Sequence, residues 1–94
     1  MGVYIPDYQQ IMLPLLNFAS DRKEHTIREA INHVSDIFRL TDELRQERLP
    51  SGQQTIIENR VGWARTYMKK AGLVESARRA YFNITQRGLE VLSR

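Results

Sequence analysis

The chain contains no cysteine. Disulfides, thiolate metal sites and cysteine nucleophiles are therefore excluded, and nothing argues for secretion. Proline is scarce, with three residues, and glycine numbers five, too few for a collagen-like repeat or a Pro/Gly-rich linker. No apolar run approaches the roughly 20 residues that cross a bilayer, and residues 1–20 lack the charged start of a signal peptide. The chain is expected in the cytoplasm, with no membrane partner. At 94 residues, only about 60–65% of the unfolded surface can be buried. That size suits one small domain spanning 1–94 and leaves little material for a deep catalytic cleft. What is present is ordinary globular composition, 41% hydrophobic and 27% charged, which argues against disorder.

The net charge of +3 conceals an asymmetry. Residues 1–58 hold six Lys/Arg against nine Asp/Glu, a balance of −3, whereas residues 59–94 hold eight against two, a balance of +6. Eleven of the 14 basic residues are Arg, whose planar fork matches phosphate and guanine. A basic C-terminal third points to an anionic partner, nucleic acid first; a merely solvated basic face is the competing explanation.

Periodicity divides the chain into an ordered series of elements. Asp7 is placed to cap a helix whose apolar stripe is Tyr8, Ile11, Met12, Leu15, Leu16 and Ala19, with Pro14 inside it expected to kink or break it. A polar turn follows at residues 20–23. Thr26-Ile27-Arg28-Glu29 fits a capping box opening a second helix, with Ile27, Ala30, Ile31, Val34, Ile37 and Phe38 inward. Thr41 caps a short helix over 42–48, and Leu49-Pro50-Ser51-Gly52 makes a turn. The longest helix is expected over about 53–71, preceded by Ser51 or Gly52 and ended by Gly72 as a left-handed cap. Ile57, Val61, Ala64, Met68 and Ala71 form its apolar side, widened by Ile56, Trp63 and Tyr67, with Trp63 expected in the core. Leu73–Ser76 and Tyr81–Ile84 read as two strands of a hairpin with Arg78 and Arg79 at its tip. Thr85 caps a closing helix that contains Gly88.

The resulting fold class is mainly α with a small β-hairpin. Three helices, a helix ending at Gly, a hairpin with a basic tip and a closing helix are laid out as in a winged helix-turn-helix. In that architecture one helix enters the major groove and the hairpin lies along the adjacent backbone or minor groove.

Several stretches carry a narrower resemblance: YQQIMLPLL (8–16), LPSGQ (49–53), NRVGWA (59–64), MKKAGL (68–73) and ITQRG (84–88). Through them nearly the whole chain resembles the N-terminal domain of Mrr-type restriction endonucleases. It departs from the family's pattern at Ala80, where Gly often follows the wing arginine. The resemblance implies a DNA-binding region joined to a C-terminal nuclease domain that cuts modified, typically methylated, foreign DNA with a divalent metal such as magnesium.

The chemistry of cutting is not legible in this stretch. A nuclease of that type needs an Asp followed by Glu-x-Lys or Gln-x-Lys to hold its metal, and neither tripeptide occurs. Asp21 and Glu24 fall in an expected turn and read as solvated loop charges. His25, placed at the start of the second helix or in a short strand, and His33, expected to face solvent, have no third ligand beside them. No catalytic triad, phosphate loop or zinc motif appears. The chain is therefore read as non-catalytic and without a cofactor of its own.

Gln53, Thr55 and Asn59 lead as base-contact candidates, because Asn and Gln can bond two groups on one edge of adenine. Ser51, Gln54 and Thr66 share that polar surface; Ser51 and Gln54 read equally as a helix cap. Arg65, Lys69 and Lys70 are placed to touch phosphate or to complement the helix C-terminus. Glu58 would repel phosphate unless it pairs with Arg65 or accepts from a cytosine amine. Arg60, within the apolar arc, needs a carboxylate or carbonyl partner. Gly62 marks either the close approach of another backbone or DNA, or a site crowded by a neighbouring loop. Arg78 and Arg79 are assigned to phosphate or the minor groove. The expected partner is double-stranded DNA, methylated or not. The competing functions are a winged-helix transcription regulator and a protein-interaction domain, in which the acidic half meets another protein or a second copy in a homo-oligomer.

Overall fold

The computed structural model describes residues 4–94. The elements, in chain order, are α1 (Tyr8–Phe18), a 3-10 turn (Ala19–Asp21), β1 (His25–Thr26), α2 (Ile27–Ile37), α3 (Asp42–Gln46), α4 (Ile56–Lys70), β2 (Val74–Glu75), β3 (Tyr81–Ile84) and α5 (Gln86–Leu92). Five side chains explain where the helices start. Asp7, Thr26, Thr41, Thr55 and Thr85 each accept a hydrogen bond from an amide of the first turn, an arrangement worth about 1 kcal/mol per cap. Asp7 with Gln10, Thr26 with Glu29 and Thr55 with Glu58 form complete capping boxes. α1 runs through Pro14 without a break, so of the two expected effects of this proline the break is absent.

The cap at Thr55 corrects the expected start of α4. The helix begins at Ile56 rather than near 53, because the Thr55–Glu58 box satisfies the first-turn amides where Ser51 and Gly52 cannot. Residues 48–55 instead fold back on themselves. Gly52, at φ +71°, donates to the Leu49 carbonyl at 2.8 Å, Leu49 donates to Gln54, and Arg48 bridges Thr55. The other end of α4 is as expected. Gly72 takes φ +76°, its amide bonds the Lys69 carbonyl and the Leu73 amide bonds Met68, a complete Schellman closure.

The core joins Ile11, Leu15 and Leu16 of α1, Ala30, Ile31 and Val34 of α2, Ile57, Val61, Ala64 and Met68 of α4, and Val74, Phe82 and Ile84 of the sheet. α4 packs mainly against α1 and α2, with smaller contacts to α3 and β2, and these leave part of the expected apolar stripe uncovered. Three expectations fail for that reason. Trp63 is 48% exposed, Tyr67 is 40% exposed and Ala71 is exposed. Trp63 and Tyr67 cover each other instead of joining the core: Tyr67 stacks on Tyr8 at 4.8 Å and Trp63 leans on Tyr67 at 5.9 Å. Ile37, the last residue of α2, is likewise 47% exposed.

The sheet has three antiparallel strands in the order β1-β3-β2. His25 pairs with Phe82 and Thr26 with Tyr81 on one side, Val74 with Ile84 and Glu75 with Asn83 on the other. Of the two placements open for His25, the strand is therefore the one adopted. α5 is held close to the sheet at Gly88, where an added Cβ would collide with the Leu73 carbonyl and come within 2.6 Å of Ile84. No helix among the described residues is long and apolar enough to cross a membrane.

Candidate nucleic-acid interface

The side of α4 turned away from the core carries an open depression of about 390 Å³, lined by Gln54, Glu58, Asn59, Gly62, Trp63, Arg65 and Thr66. Gly62 forms part of its wall. A Cβ built there meets no atom within 4 Å, which removes the crowding explanation and leaves the backbone open to an approaching surface. Thr66 turns its hydroxyl onto the Gly62 carbonyl at 2.9 Å. Asn59 is half-buried and donates to the Gln54 side chain at 3.1 Å, so the two amides form one hydrogen-bonding plate. Ser51 and Gln53 are exposed on the loop before the helix, not on α4 itself. Lys69 and Lys70 are exposed at its far end, with Lys70 5.7 Å above the Tyr67 ring.

Thr55 and Glu58 are engaged with each other at the start of α4. The Thr55 hydroxyl accepts from the Glu58 amide and donates to the Glu58 carboxylate at 2.8 Å, which uses its one proton and leaves a single lone pair to accept from a base edge. Glu58 pairs with Arg28 at 2.9 Å and not with Arg65. Hydrogen bonds from the Thr55 amide and hydroxyl, and then from Arg28, hold the Glu58 carboxyl below the usual carboxylate range. The Nε of Arg65 is buried without a hydrogen-bond partner among the described residues. Arg60, as its place in the apolar arc required, donates to a carbonyl, that of Pro6, at 3.2 Å.

A second depression of about 280 Å³ adjoins the first, with Glu58 lining both. It is lined by arginines from three segments: Arg28 of α2, Arg45 of α3 and Arg48 after α3, with the buried Ser35 among them. Sequence reasoning missed all three. They lie within the stretch whose balance is −3, where a running charge count hides them. Their spacing along the chain, over 20 residues, gives no local motif. The one available signal was Arg28 beside the Thr26 cap, on the turn that opens α2.

At the hairpin tip, Arg78 and Arg79 fare differently. Arg78 donates through Nη2 and Nε to Glu24 at 2.8 and 3.2 Å and covers the Tyr81 ring at 3.8 Å from its centroid. The Glu24 hydrogen bond holds its guanidinium above the ordinary value. Glu24 is thus a partner of the tip and not an idle loop charge. Arg79 is exposed and makes no ion pair among the described residues. The turn itself is tied by the Ser76 hydroxyl, bonded to the Arg78 and Tyr81 carbonyls, and by the Ile27 amide on Ala80.

The histidines serve the interior of the molecule. His25, 11% exposed at its side chain, bonds Asp21 at 2.8 Å through Nε2, and Phe18 packs between it and His33. Asp21 is accordingly engaged, contrary to its reading as a solvated charge; the His25 bond and the Lys23 amide hold its carboxyl below the usual range. His33 is half-buried against Phe18 rather than facing open solvent. Among the described residues no three His, Asp or Glu side chains gather where a metal ion could be held.

Residues 8–94 match the family described as the Mrr N-terminal domain. The chain belongs to that family. The match takes in every helix and strand from α1 to α5. The chain is also similar to the type IV methyl-directed restriction enzyme EcoKMrr of Escherichia coli (strain K12), at 30% identity over 87 residues. That alignment covers 92% of this chain but 28% of the relative, so the chain spans under a third of the enzyme it matches. No solved structure matches it. In this Mrr N-terminal domain the departure at Ala80 leaves the turn in place: Ala80 takes φ +66°, the left-handed conformation that glycine adopts most readily.

Proposed function

We propose that this chain is a winged-helix module that binds double-stranded DNA and targets a modification-dependent restriction activity to it. The open, polar outer face of α4, which includes the uncrowded Gly62, carries the reading. It offers hydrogen-bonding side chains at Gln54, Asn59 and Thr66, flanked by Arg65, Lys69 and Lys70, on and just before the longest helix among the described residues, and a major groove admits such a helix. The element order and the three-stranded sheet are compatible with a winged helix. The β2–β3 hairpin is then the wing, with Arg79 directed to phosphate and Arg78 available when it leaves Glu24. The similarity to a methyl-directed restriction enzyme supports methylated duplex as the preferred form. Cleavage belongs to a metal-dependent nuclease domain joined to this one, and the chain itself only binds.

Titration of methylated and unmethylated duplexes at several salt concentrations tests this reading. Binding should weaken with salt by about 0.9 log units per log unit for each phosphate neutralised. Replacing Arg78 and Arg79 together with Ala should flatten that slope by about one to two units on every duplex. Asn59→Ala should instead relax sequence or methylation preference by about 1–3 kcal/mol. Absence of duplex binding by the folded chain would overturn the proposal. Magnesium-dependent plasmid cleavage by the chain, abolished by a chelator, would overturn its non-catalytic part.

A further inference from the structure

We infer that the depression between α2, α3 and α4 is an anion site that seats one phosphodiester of the bound duplex. The inference rests on the DNA-binding reading above and adds to it a contact that lies outside both α4's outer face and the hairpin.

Three arginines separated by up to 20 residues in sequence converge there: Arg28, Arg45 and Arg48. Their internal partners are light. Arg28 donates to Glu58, Arg45 to Asp36 and the Leu40 carbonyl, and Arg48 to the Gly52 carbonyl. A guanidinium carries five N–H donors, so each retains several for an incoming oxygen. Counting every charged group on the wall, three guanidiniums face the single carboxylate of Glu58. Even with Asp36, which is 73% exposed and bonded to Arg45, the site keeps a positive balance. Ser35, 1% exposed, and Asn32 add polar groups to the lining.

The chemistry of the lining points the same way. The hollow is about 280 Å³ and open on one side. That fits a tetrahedral oxyanion better than an apolar ligand, since its lining is dominated by guanidinium, amide and hydroxyl groups. Forked Arg–phosphate pairs are the strong form of this contact. Position supplies the class of anion. Glu58 is the common wall between this hollow and the open face of α4. A phosphate bound here would therefore lie directly beside a base pair facing Asn59. Contacts of this kind set register rather than sequence.

The test uses the whole chain with two probes, inorganic phosphate and duplex DNA. Phosphate titrated at constant ionic strength should shift the backbone amide resonances of Asn32, Ser35 and Thr55 saturably. Those shifts should be lost in Arg28→Gln/Arg48→Gln. The same variant should bind duplex with a salt slope flatter by about one unit. Glu58→Gln, which keeps a side chain able to complete the helix cap, should sharpen both responses because it removes the opposing carboxylate. If the parent chain binds duplex but the folded double variant keeps its affinity and slope, the seat is wrong and the DNA reading stands. If phosphate shifts those amides yet the slope is unaffected, the hollow takes free phosphate and the duplex assignment falls. If the parent chain binds no duplex, the wider reading fails and this inference fails with it.

Discussion

α4 and the β2–β3 hairpin were the two segments nominated for DNA by composition, and they are built in opposite ways. α4 is closed at both ends by residues within or next to it: the Thr55–Glu58 box at one end and the Gly72 turn at the other. The hairpin borrows its shape. Its strands are two and four residues long, below what stands alone in water. β1 pairs along it, the Ile27 amide anchors its turn, Glu24 holds Arg78, and α5 closes over it at Gly88. A helix capped by its own neighbours keeps its ends without distant partners. A hairpin held by distant partners can be altered by substitutions far along the chain, as at Glu24, 54 residues from Arg78.

The sharpest way to break this contrast is a pair of glycine substitutions. Gly88→Ala should destabilise the domain by about 3 kcal/mol or prevent folding, because the new methyl meets the backbone of Leu73, which cannot rotate away. Gly62→Ala should stabilise it by about 0.5–1 kcal/mol, since the site is helical and open. Urea unfolding midpoints measure both. Destabilisation by Gly62→Ala would show that α4 is as dependent on its surroundings as the hairpin.

A smaller effect should come from the local cap. Thr55→Ala is expected to cost about 1 kcal/mol at neutral pH. Glu58 adds a pH dependence. Its carboxyl is depressed in the folded state, chiefly by the Thr55 amide. Its contribution is therefore complete above the carboxylate range of the unfolded chain and is lost as pH falls through the lower folded value. The stability gap between parent and Glu58→Gln should accordingly narrow below about pH 4. A gap unchanged from pH 7 to pH 3, by denaturant titration, would mean that the carboxylate does not hold the helix start.

Least visible in stability should be Glu24→Gln. The pair with Arg78 is largely exposed, at 61% and 34% for the two side chains, and such pairs contribute little to folding. Its consequence should appear in binding instead. An Arg78 released from Glu24 is free to neutralise phosphate, so the variant should hold duplex more tightly and with a steeper salt slope. Weaker binding would mean that Glu24 positions Arg78 for DNA rather than competing for it.

Much of the fold was legible because its signals are short-range. Asp7, Thr26, Thr41 and Thr85 all stand at helix starts, Gly72 ends α4, and both strands of the hairpin lie where alternation placed them. The early start assigned to α4 came from treating Gln53 and Gln54 as helical when the stronger capping box lay two residues on. Family membership was legible too, through spaced words such as NRVGWA. Burial was less so. Trp63, Tyr67 and Ile37 fit the helical period, but how wide a stripe is covered depends on how many helices pack against it.

The sequence by itself determined the helix boundaries set by caps, the hairpin, the absence of thiol chemistry and the uneven charge, because each follows from contacts a few residues apart or from composition. Only the tertiary structure decided which charges meet. It joined Arg28, Arg45 and Arg48 from an acidic stretch into one hollow, and it set Glu24 against Arg78. Electrostatic interaction depends on distance through space, and the fold brings together groups 54 residues apart that no count along the chain could pair.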